Sequence, residues 1–299
     1  MTTAPTSISS DTWNPDQYAR FRDERSRPFY ELMALVRPKP GMRAIDLGCG
    51  TGELTRDLHR HTGARETIGL DSSQAMLTKA TALEADGLRF VEGDIWDFAR
   101  EGLTRHPEQT TEHAHARAQG VSAQTEGSGV TSDKWDLIFS NAALQWVEDH
   151  PALITHLAAR LADGGQLAVQ VPANEDYASH VTAREVAQEE PFCTALGGHV
   201  RRFPLLTPEG YAELLDSLGF AEQHVRLQVF GHHLGGREDV IEWVKGSLLT
   251  DYQKRLPPEL WERFLARYRE LLLPRLADAR PYFYAFKRIL FWGMKPPAA

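Results

Sequence analysis

"AIDLGCGTGELT", residues 44–55, sets three glycines on alternate positions directly after a short apolar run that contains an aspartate. Glycine lets a backbone turn this tightly and approach a ligand this closely. Glycine-rich turns between a strand and a helix commonly cradle a pyrophosphate. The details here point elsewhere. The spacing at Gly48, Gly50 and Gly52 is G-x-G-x-G, whereas a dinucleotide fingerprint needs G-x-G-x-x-G and a P-loop ends in Gly-Lys-Ser/Thr. Asp46 would repel a pyrophosphate and suits a ligand that carries positive charge.

From residue 41 to about 172, short apolar runs alternate with helical patterns, the sign of a parallel sheet built from strand–helix–strand units. "MRAIDL", "ETIGLD", "LRFVEGD", "WDLIFSN" and "GQLAVQV" read as five successive strands. "GELTRDLHRHT" reads as the first helix, and Ser72 as the cap of the second, "SQAMLTKATALEA". "HPALITHLAARLAD" is amphipathic at helical spacing and stops at Gly164-Gly165. Beyond it, "QHVRLQVFGHHL" alternates like an antiparallel strand and "YFYAFKRILFWGMK" closes the chain as another. Helical stretches at 178–206 and 237–280 would form a lid beside the strand ends, where ligands of open α/β sheets bind.

Two further strand ends carry carboxylates. Asp71 ends the second strand, where it can accept both hydroxyls of a ribose. Asp94 ends the third, placed to accept from an exocyclic amine such as that of adenine. A loop for close backbone approach, with acidic groups for a ribose, an adenine amine and a cation, matches S-adenosylmethionine. That molecule has an adenosine, no phosphate, a sulfonium and an α-amino group.

Composition narrows the remaining possibilities. The chain has 299 residues, 42% hydrophobic and 25% charged, as expected of a globular enzyme. Its formal net charge of -8 argues against nucleic-acid binding, which needs a broad basic face. Two cysteines, Cys49 and Cys193, cannot build a disulfide framework, and the chain reads as cytoplasmic. No apolar run approaches the ~20 residues that cross a bilayer, so no membrane partner is expected. Residues 1–12 read as a flexible leader and 13–40 as an N-terminal helical cap. Residues 41–177 form the cofactor-binding core and 178–299 the C-terminal part of the sheet with its lid. Residues 99–133 lack Phe, Trp and Tyr and hold only three of Leu and Val. They read as a disordered surface insertion, because they cannot bury enough apolar surface to offset their ordering entropy. His113 and His115 within it read as solvated, and no metal site is expected.

The motifs "AIDLGCGTGELT", "GLDSSQAML", "VEGDIWDF" and "DLIFSNAALQWV" resemble those of the class I S-adenosylmethionine-dependent methyltransferases. "WNPDQYARFRDERSRPFYELM" and the "NAALQWV" loop are more particular and resemble its trans-aconitate methyltransferase branch. The resemblance implies an α/β, Rossmann-like three-layer sandwich. Its sheet would be seven-stranded and mostly parallel, with an antiparallel C-terminal strand and a helical lid. It further implies that Asp71 holds the ribose and that Asp94 and the Ile95 backbone hold the adenine. Gly48 and Gly50 would line the methionine portion, and the Asn141 backbone would meet its amino group. Asp46, Gly52 and Ser72 complete the expected cofactor set, while Gln145 and Trp146 would lie near the reacting methyl.

The implied reaction is esterification of a carboxylate in a small polycarboxylic acid such as trans-aconitate, with S-adenosylhomocysteine as the other product. Arginine grips carboxylates through a bidentate fork. Arg25 and Arg27 in "RDERSRP" are therefore candidates for orienting the acid, and the lid pair Arg201 and Arg202 competes with them. Tyr18, Trp243 and Tyr268 could wall the pocket, although aromatic residues at helical spacing are more often core; Tyr18, Trp146 and Trp243 are the substrate-side candidates. Trp96 could cover the adenine or fill the core. No general base is evident, since a carboxylic acid is already ionised at pH 7. Cys49 reads as a packing residue, and the adjacent His232 and His233 point to opposite faces of a strand. Other acceptors are a malonyl thioester on a carrier protein, or an amine or phenol. A cofactor-binding sensor or partner subunit and a nicotinamide dehydrogenase are the readings outside this activity. A monomer or weak dimer is expected.

Overall fold

The computed structural model describes residues 22–103 and 134–298, with the side chains of residues 22–25 excepted. Tyr18 and most of the 99–133 stretch lie outside the described residues. Seven strands form one sheet: β1 (Arg43–Leu47), β2 (Glu66–Asp71), β3 (Leu88–Glu92), β4 (Trp135–Asn141), β5 (Leu161–Pro172), β6 (Glu222–Leu234) and β7 (Tyr282–Met294). Their order is β3-β2-β1-β4-β5-β7-β6, and β7 alone runs antiparallel to its neighbours. β1, β2, β4 and the second half of β5 are near-continuous buried runs because helices cover both faces of the sheet there, whereas the edge strand β3 alternates.

One face packs α1 (Arg22–Met33) and α2 (Glu53–Thr62) through Phe29, Leu32 and Leu58 onto Ala44, Leu137, Phe139, Ala168 and Leu290. The other packs α4 (Ile95–Glu101), α5 (His150–Ala159) and α8 (Pro208–Ser217) through Phe98, Leu153, Leu157 and Leu215 onto Ile45, Ile68, Ile138, Val169 and Phe291. The short α3 (Gln74–Ala80) closes the far edge over Phe90. Strand order reverses between β1 and β4, so the crevice at their C-terminal ends is the natural ligand position.

The lid has a core of its own. Helices α6 (Ala178–Ala187), α7 (Phe192–Ala195), α9 (Asp239–Lys245), α10 (Leu248–Arg255) and α11 (Pro258–Leu272) bury Val186, Trp243, Tyr252, Phe264 and Tyr268 against Tyr284 and Phe286. Residues 199–206, read from sequence as part of a helical stretch, are irregular chain between α7 and α8.

Several boundaries differ from the sequence reading for physical reasons. Ser73, not Ser72, caps α3: its hydroxyl accepts the Met76 N–H, while Ser72 is exposed. The helix expected to run to Gly164-Gly165 ends at Ala159, and Leu161 already pairs with Trp135. The glycines instead belong to a bulge before Gln166, where a Cβ on Gly165 would sit 2.9 Å from the Trp135 carbonyl. Residues 99–101 belong to α4, with Ala99 buried, rather than to an insertion. The described part of the N-terminal region packs on the sheet face, with Phe29 and Phe139 rings 4.9 Å apart; residues 13–21 of the expected cap lie outside the described residues.

Candidate active site

The β1–α2 turn is held rigid from the β2 side. The N–H groups of Gly48 and Cys49 both donate to the Leu70 carbonyl, at 2.7 and 3.1 Å. Gly48 has φ +77, and a Cβ there would lie 2.2 Å from the Cβ of Ala143 in the loop after β4. Only glycine lets those two loops touch. Gly50, at φ +57, has nothing among the described residues within 4 Å of where a Cβ would point, so its backbone is the part of the turn that a ligand can approach. Gly52 differs. A Cβ there would strike the Phe90 ring at 2.7 Å and Ala80 at 2.9 Å, so it serves close helix–sheet packing.

Asp46 is buried beneath this turn. Its Oδ2 accepts from the Thr55 hydroxyl at 2.6 Å, and Oδ1 is buried without a hydrogen-bond partner among the described residues. Burial, which disfavours the charged form, raises its pKa to about 7; Thr55 opposes the rise and Asp71 adds to it. Asp71 ends β2, and its carboxylate takes the Gly50 N–H on Oδ2 and the Ser73 N–H on Oδ1, both at 2.9 Å. Its pKa is raised by burial despite those donors. The Cys49 thiol is pushed up by burial and by both aspartates, and it packs with Leu77 and Phe90. It therefore has no thiolate character to offer catalysis.

Asp94 is exposed and caps α4, its Oδ1 accepting from Trp96 N at 2.6 Å and Asp97 N at 3.2 Å. Ile95 is the first residue of that helix and is half-buried. Trp96 packs edge-on to His156, so it joins α4 to α5.

Asn141 ends β4 in register with Gln170 of β5. After it the chain turns sharply: Ala142 takes φ +56 and donates its N–H to the Gln170 carbonyl at 2.9 Å. A single 3-10 turn, Leu144–Trp146, follows. The Gln145 amide donates back to the Ala142 carbonyl at 2.7 Å. The side-chain oxygens of Asn141 and Gln145 are buried without a hydrogen-bond partner among the described residues. A rigid glycine turn, an acceptor pair on Asp71 and orphaned polar atoms on Asp46, Asn141 and Gln145 thus surround the β1–β4 crevice.

A methyltransferase-domain family model matches residues 18–225. The trans-aconitate 2-methyltransferase of Deinococcus radiodurans is 42% identical over 95% of this chain and 99% of its own. That of Variovorax paradoxus is 35% identical over 93% of this chain and 94% of its own. The chain belongs to the S-adenosylmethionine-dependent methyltransferase family. Among solved structures, the YcgJ protein of Bacillus subtilis superimposes with a TM-score of 0.54, at 14% identity, over 91% of this chain and 99% of that one, a likeness of fold.

S-adenosylmethionine is the donor of this methyltransferase, and the residues present fit it. The space beside Gly50 admits a ligand close to the backbone, and the Asp71 carboxylate is already fixed by two N–H groups at the end of β2. Polar atoms orphaned beneath the turn are the kind that a polar ligand satisfies.

On the lid side, Arg201 reaches the turn after β4. Its guanidinium lies 4.7 Å from the Trp146 ring centroid and 4.8 Å from that of Phe203, and Nη2 donates to the Gln145 carbonyl at 3.3 Å. The Arg201 N–H donates to the Tyr252 hydroxyl, which anchors the segment on α10. Burial lowers the Arg201 pKa, with Asp251 and Glu175 opposing, and arginine keeps its charge nonetheless. Arg202, next along the same irregular segment, is exposed.

Other candidates fall outside this group. Trp243 does not wall a pocket: it is buried in the lid core against His232, Tyr284 and Phe286. Tyr268 is buried there too, its hydroxyl donating to the Ser179 carbonyl. His232 is buried and His233 exposed, on opposite faces of β6. Arg27 is 67% exposed and pairs with Glu31 at 3.2 Å, on the surface of α1. Arg25 lies in α1, but its side chain is outside the described set.

Two groups escaped the sequence reading. Glu175 pairs with Arg184 at 2.5 Å; burial raises its pKa while Arg184, Arg201 and Arg202 oppose the rise. Arg288 is buried on β7, its Nη1 donating to Gln170 Oε1 at 3.2 Å and its guanidinium 4.8 Å from the Phe286 centroid. A signal for Arg288 was present: strand alternation puts it on one face with Tyr284, Phe286, Leu290 and Trp292.

Proposed function

We propose that this methyltransferase esterifies a carboxylate of trans-aconitate, giving the monomethyl ester and S-adenosylhomocysteine. The observation that carries this reading is Arg201, a planar cation packed against both rings of the Trp146–Phe203 edge-to-face pair beside the loop after β4. A guanidinium presented this way binds a carboxylate through a fork of two N–H groups. The names of the curated relatives favour the same acceptor.

When bound, S-adenosylmethionine supplies a methyl group made electrophilic by its sulfonium. The remaining work falls to the chain. Asp71 accepts the ribose hydroxyls, Asp94 and the Ile95 backbone meet the adenine, and the Asn141 backbone meets the amino group. The acceptor carboxylate, with a pKa of ~4, arrives ionised and needs no base. Arg201 orients it through a carboxylate that does not react, since a tight grip on the reacting one would blunt its nucleophilicity. Trp146 and Phe203 exclude water from the reacting atoms, so that proximity and alignment lower the barrier. The enzyme acts in the cytoplasm, as a monomer or weak dimer, on a small free acid.

Steady-state kinetics with trans-aconitate, cis-aconitate, isocitrate, isopropylmalate and malonyl-carrier protein tests the acceptor. The proposal expects kcat/KM to be highest for trans-aconitate by at least about tenfold, which corresponds to ~1.4 kcal/mol of discrimination. A higher value for the carrier protein would overturn it.

A further inference from the structure

His150 and Tyr211 are buried, polar and in contact, and the mechanism above uses neither. His150, the first residue of α5, is fully buried; its Nδ1 lies 2.5 Å from the Tyr211 hydroxyl and its Nε2 2.9 Å from the Leu144 carbonyl. A carbonyl only accepts, so Nε2 carries the hydrogen. Burial lowers the His150 pKa and keeps the ring neutral, which leaves Nδ1 as acceptor for the Tyr211 O–H. One tautomer satisfies both bonds. Tyr211 is fixed in turn: its ring stacks on Phe291 of β7 at 4.4 Å, and its N–H donates to the carbonyl of Thr207, the cap of α8.

The consequence lies in two consecutive carbonyls. Leu144 O is held by His150, and the next, Gln145 O, is held by Arg201. The turn carrying Gln145 and Trp146 is therefore clamped on one side by a core histidine and on the other by the lid arginine. Arg201 and Tyr211 stand on one continuous stretch of chain, which runs from residue 201 through Thr207 into α8. We propose that His150 and Tyr211 are positioning residues for the acceptor: they fix the Leu144–Trp146 turn against which Arg201 docks. The proposal rests on the reading of Arg201 as the acceptor's grip.

The test uses the full chain saturated with S-adenosylhomocysteine and follows trans-aconitate binding by calorimetry in Tyr211→Phe, which keeps the ring stack and removes only the hydroxyl. Acid affinity is expected to fall about fivefold, the scale of one neutral hydrogen bond, while S-adenosylhomocysteine affinity stays within about twofold. Combined with Arg201→Lys, the loss is expected to be smaller than the product of the two single losses, because both act on one turn. His150→Gln, which can still donate to Leu144 O, is expected to retain more acid affinity than His150→Ala. Parallel loss of both ligands, or an acid affinity unchanged by Tyr211→Phe, would overturn the proposal. If the wild-type chain binds no trans-aconitate, the acceptor reading fails separately. Amide hydrogen exchange at residues 144–147 then decides the positioning role: faster exchange in Tyr211→Phe supports it, and unchanged exchange overturns it.

Discussion

Asp46 offers a sharp test of the site's electrostatics, because its environment and its effect on stability are linked. Its carboxyl is buried, holds one hydrogen bond from Thr55, and titrates at about 7. In the unfolded chain the same group titrates near ~3.9. Between those values the native state binds a proton that the unfolded state has released, so stability falls as pH rises through the window. This contribution is complete below about pH 4 and gone above about pH 7. Each pH unit of displacement is worth ~1.4 kcal/mol, which makes the whole effect on the order of 4 kcal/mol. Asp46→Asn cannot titrate and can still accept from Thr55. The measurement is urea unfolding of both proteins at pH 5 and pH 8 without cofactor. The stability of the wild type relative to the variant is expected to drop by about 3 kcal/mol over that interval, and taking the difference removes most other titrations. A relative drop below about 0.5 kcal/mol would refute the claim that Asp46 is held partly protonated beneath the turn.

Further outcomes are expected around the same crevice. Because a cationic ligand favours ionised Asp46, cofactor affinity should rise with pH through about 7 in the wild type and stay flat in Asp46→Asn; calorimetry across pH 6–8 checks it. Gly48→Ala forces a left-handed residue, costing roughly 1–2 kcal/mol, and drives a methyl into Ala143; it should weaken cofactor binding more than about tenfold, and Ala143→Gly should restore part of that. Asp71→Ala removes the acceptor for two backbone N–H groups and the expected ribose contact, so calorimetry should detect little cofactor binding; unchanged affinity would remove Asp71 from the site. Arg201→Lys should raise the KM for trans-aconitate about tenfold or more, whereas exposed Arg27→Ala should change it less than about twofold.

Much of this architecture is legible in the chain because local patterns and tertiary contacts agree. The apolar runs of β2 and β4 begin and end as their burial does, at Glu66–Asp71 and Trp135–Asn141. The glycine turn and Asp71 are equally plain, since spacing and strand ends fix both. Positions that depend on neighbours from distant elements are harder to read. Gly52 looks like a ligand glycine until Phe90 and Ala80 are seen to fill its side. Gly164-Gly165 looks like a helix stop until the Trp135 carbonyl shows why the bulge needs it. Arg27 and Arg201 are indistinguishable as letters, and only packing separates a surface ion pair from a guanidinium set against a pair of aromatic rings. Trp243 can be read from sequence as pocket wall, although an aromatic residue at helical spacing is more often core, and the lid's own apolar cluster places it in the core. His150 and Tyr211, 61 residues apart, give no local sign that they touch.

Methyl transfer itself is the central claim, and isotope tracing tests it most directly. The purified chain is incubated with S-adenosylmethionine carrying a deuterated methyl group and with trans-aconitate, and the products are resolved by mass spectrometry. The account predicts a trans-aconitate monomethyl ester carrying the intact labelled methyl, formed in step with an equal amount of S-adenosylhomocysteine. Cofactor that binds and stays unconsumed, or label that appears on another acceptor and never on trans-aconitate, would contradict it.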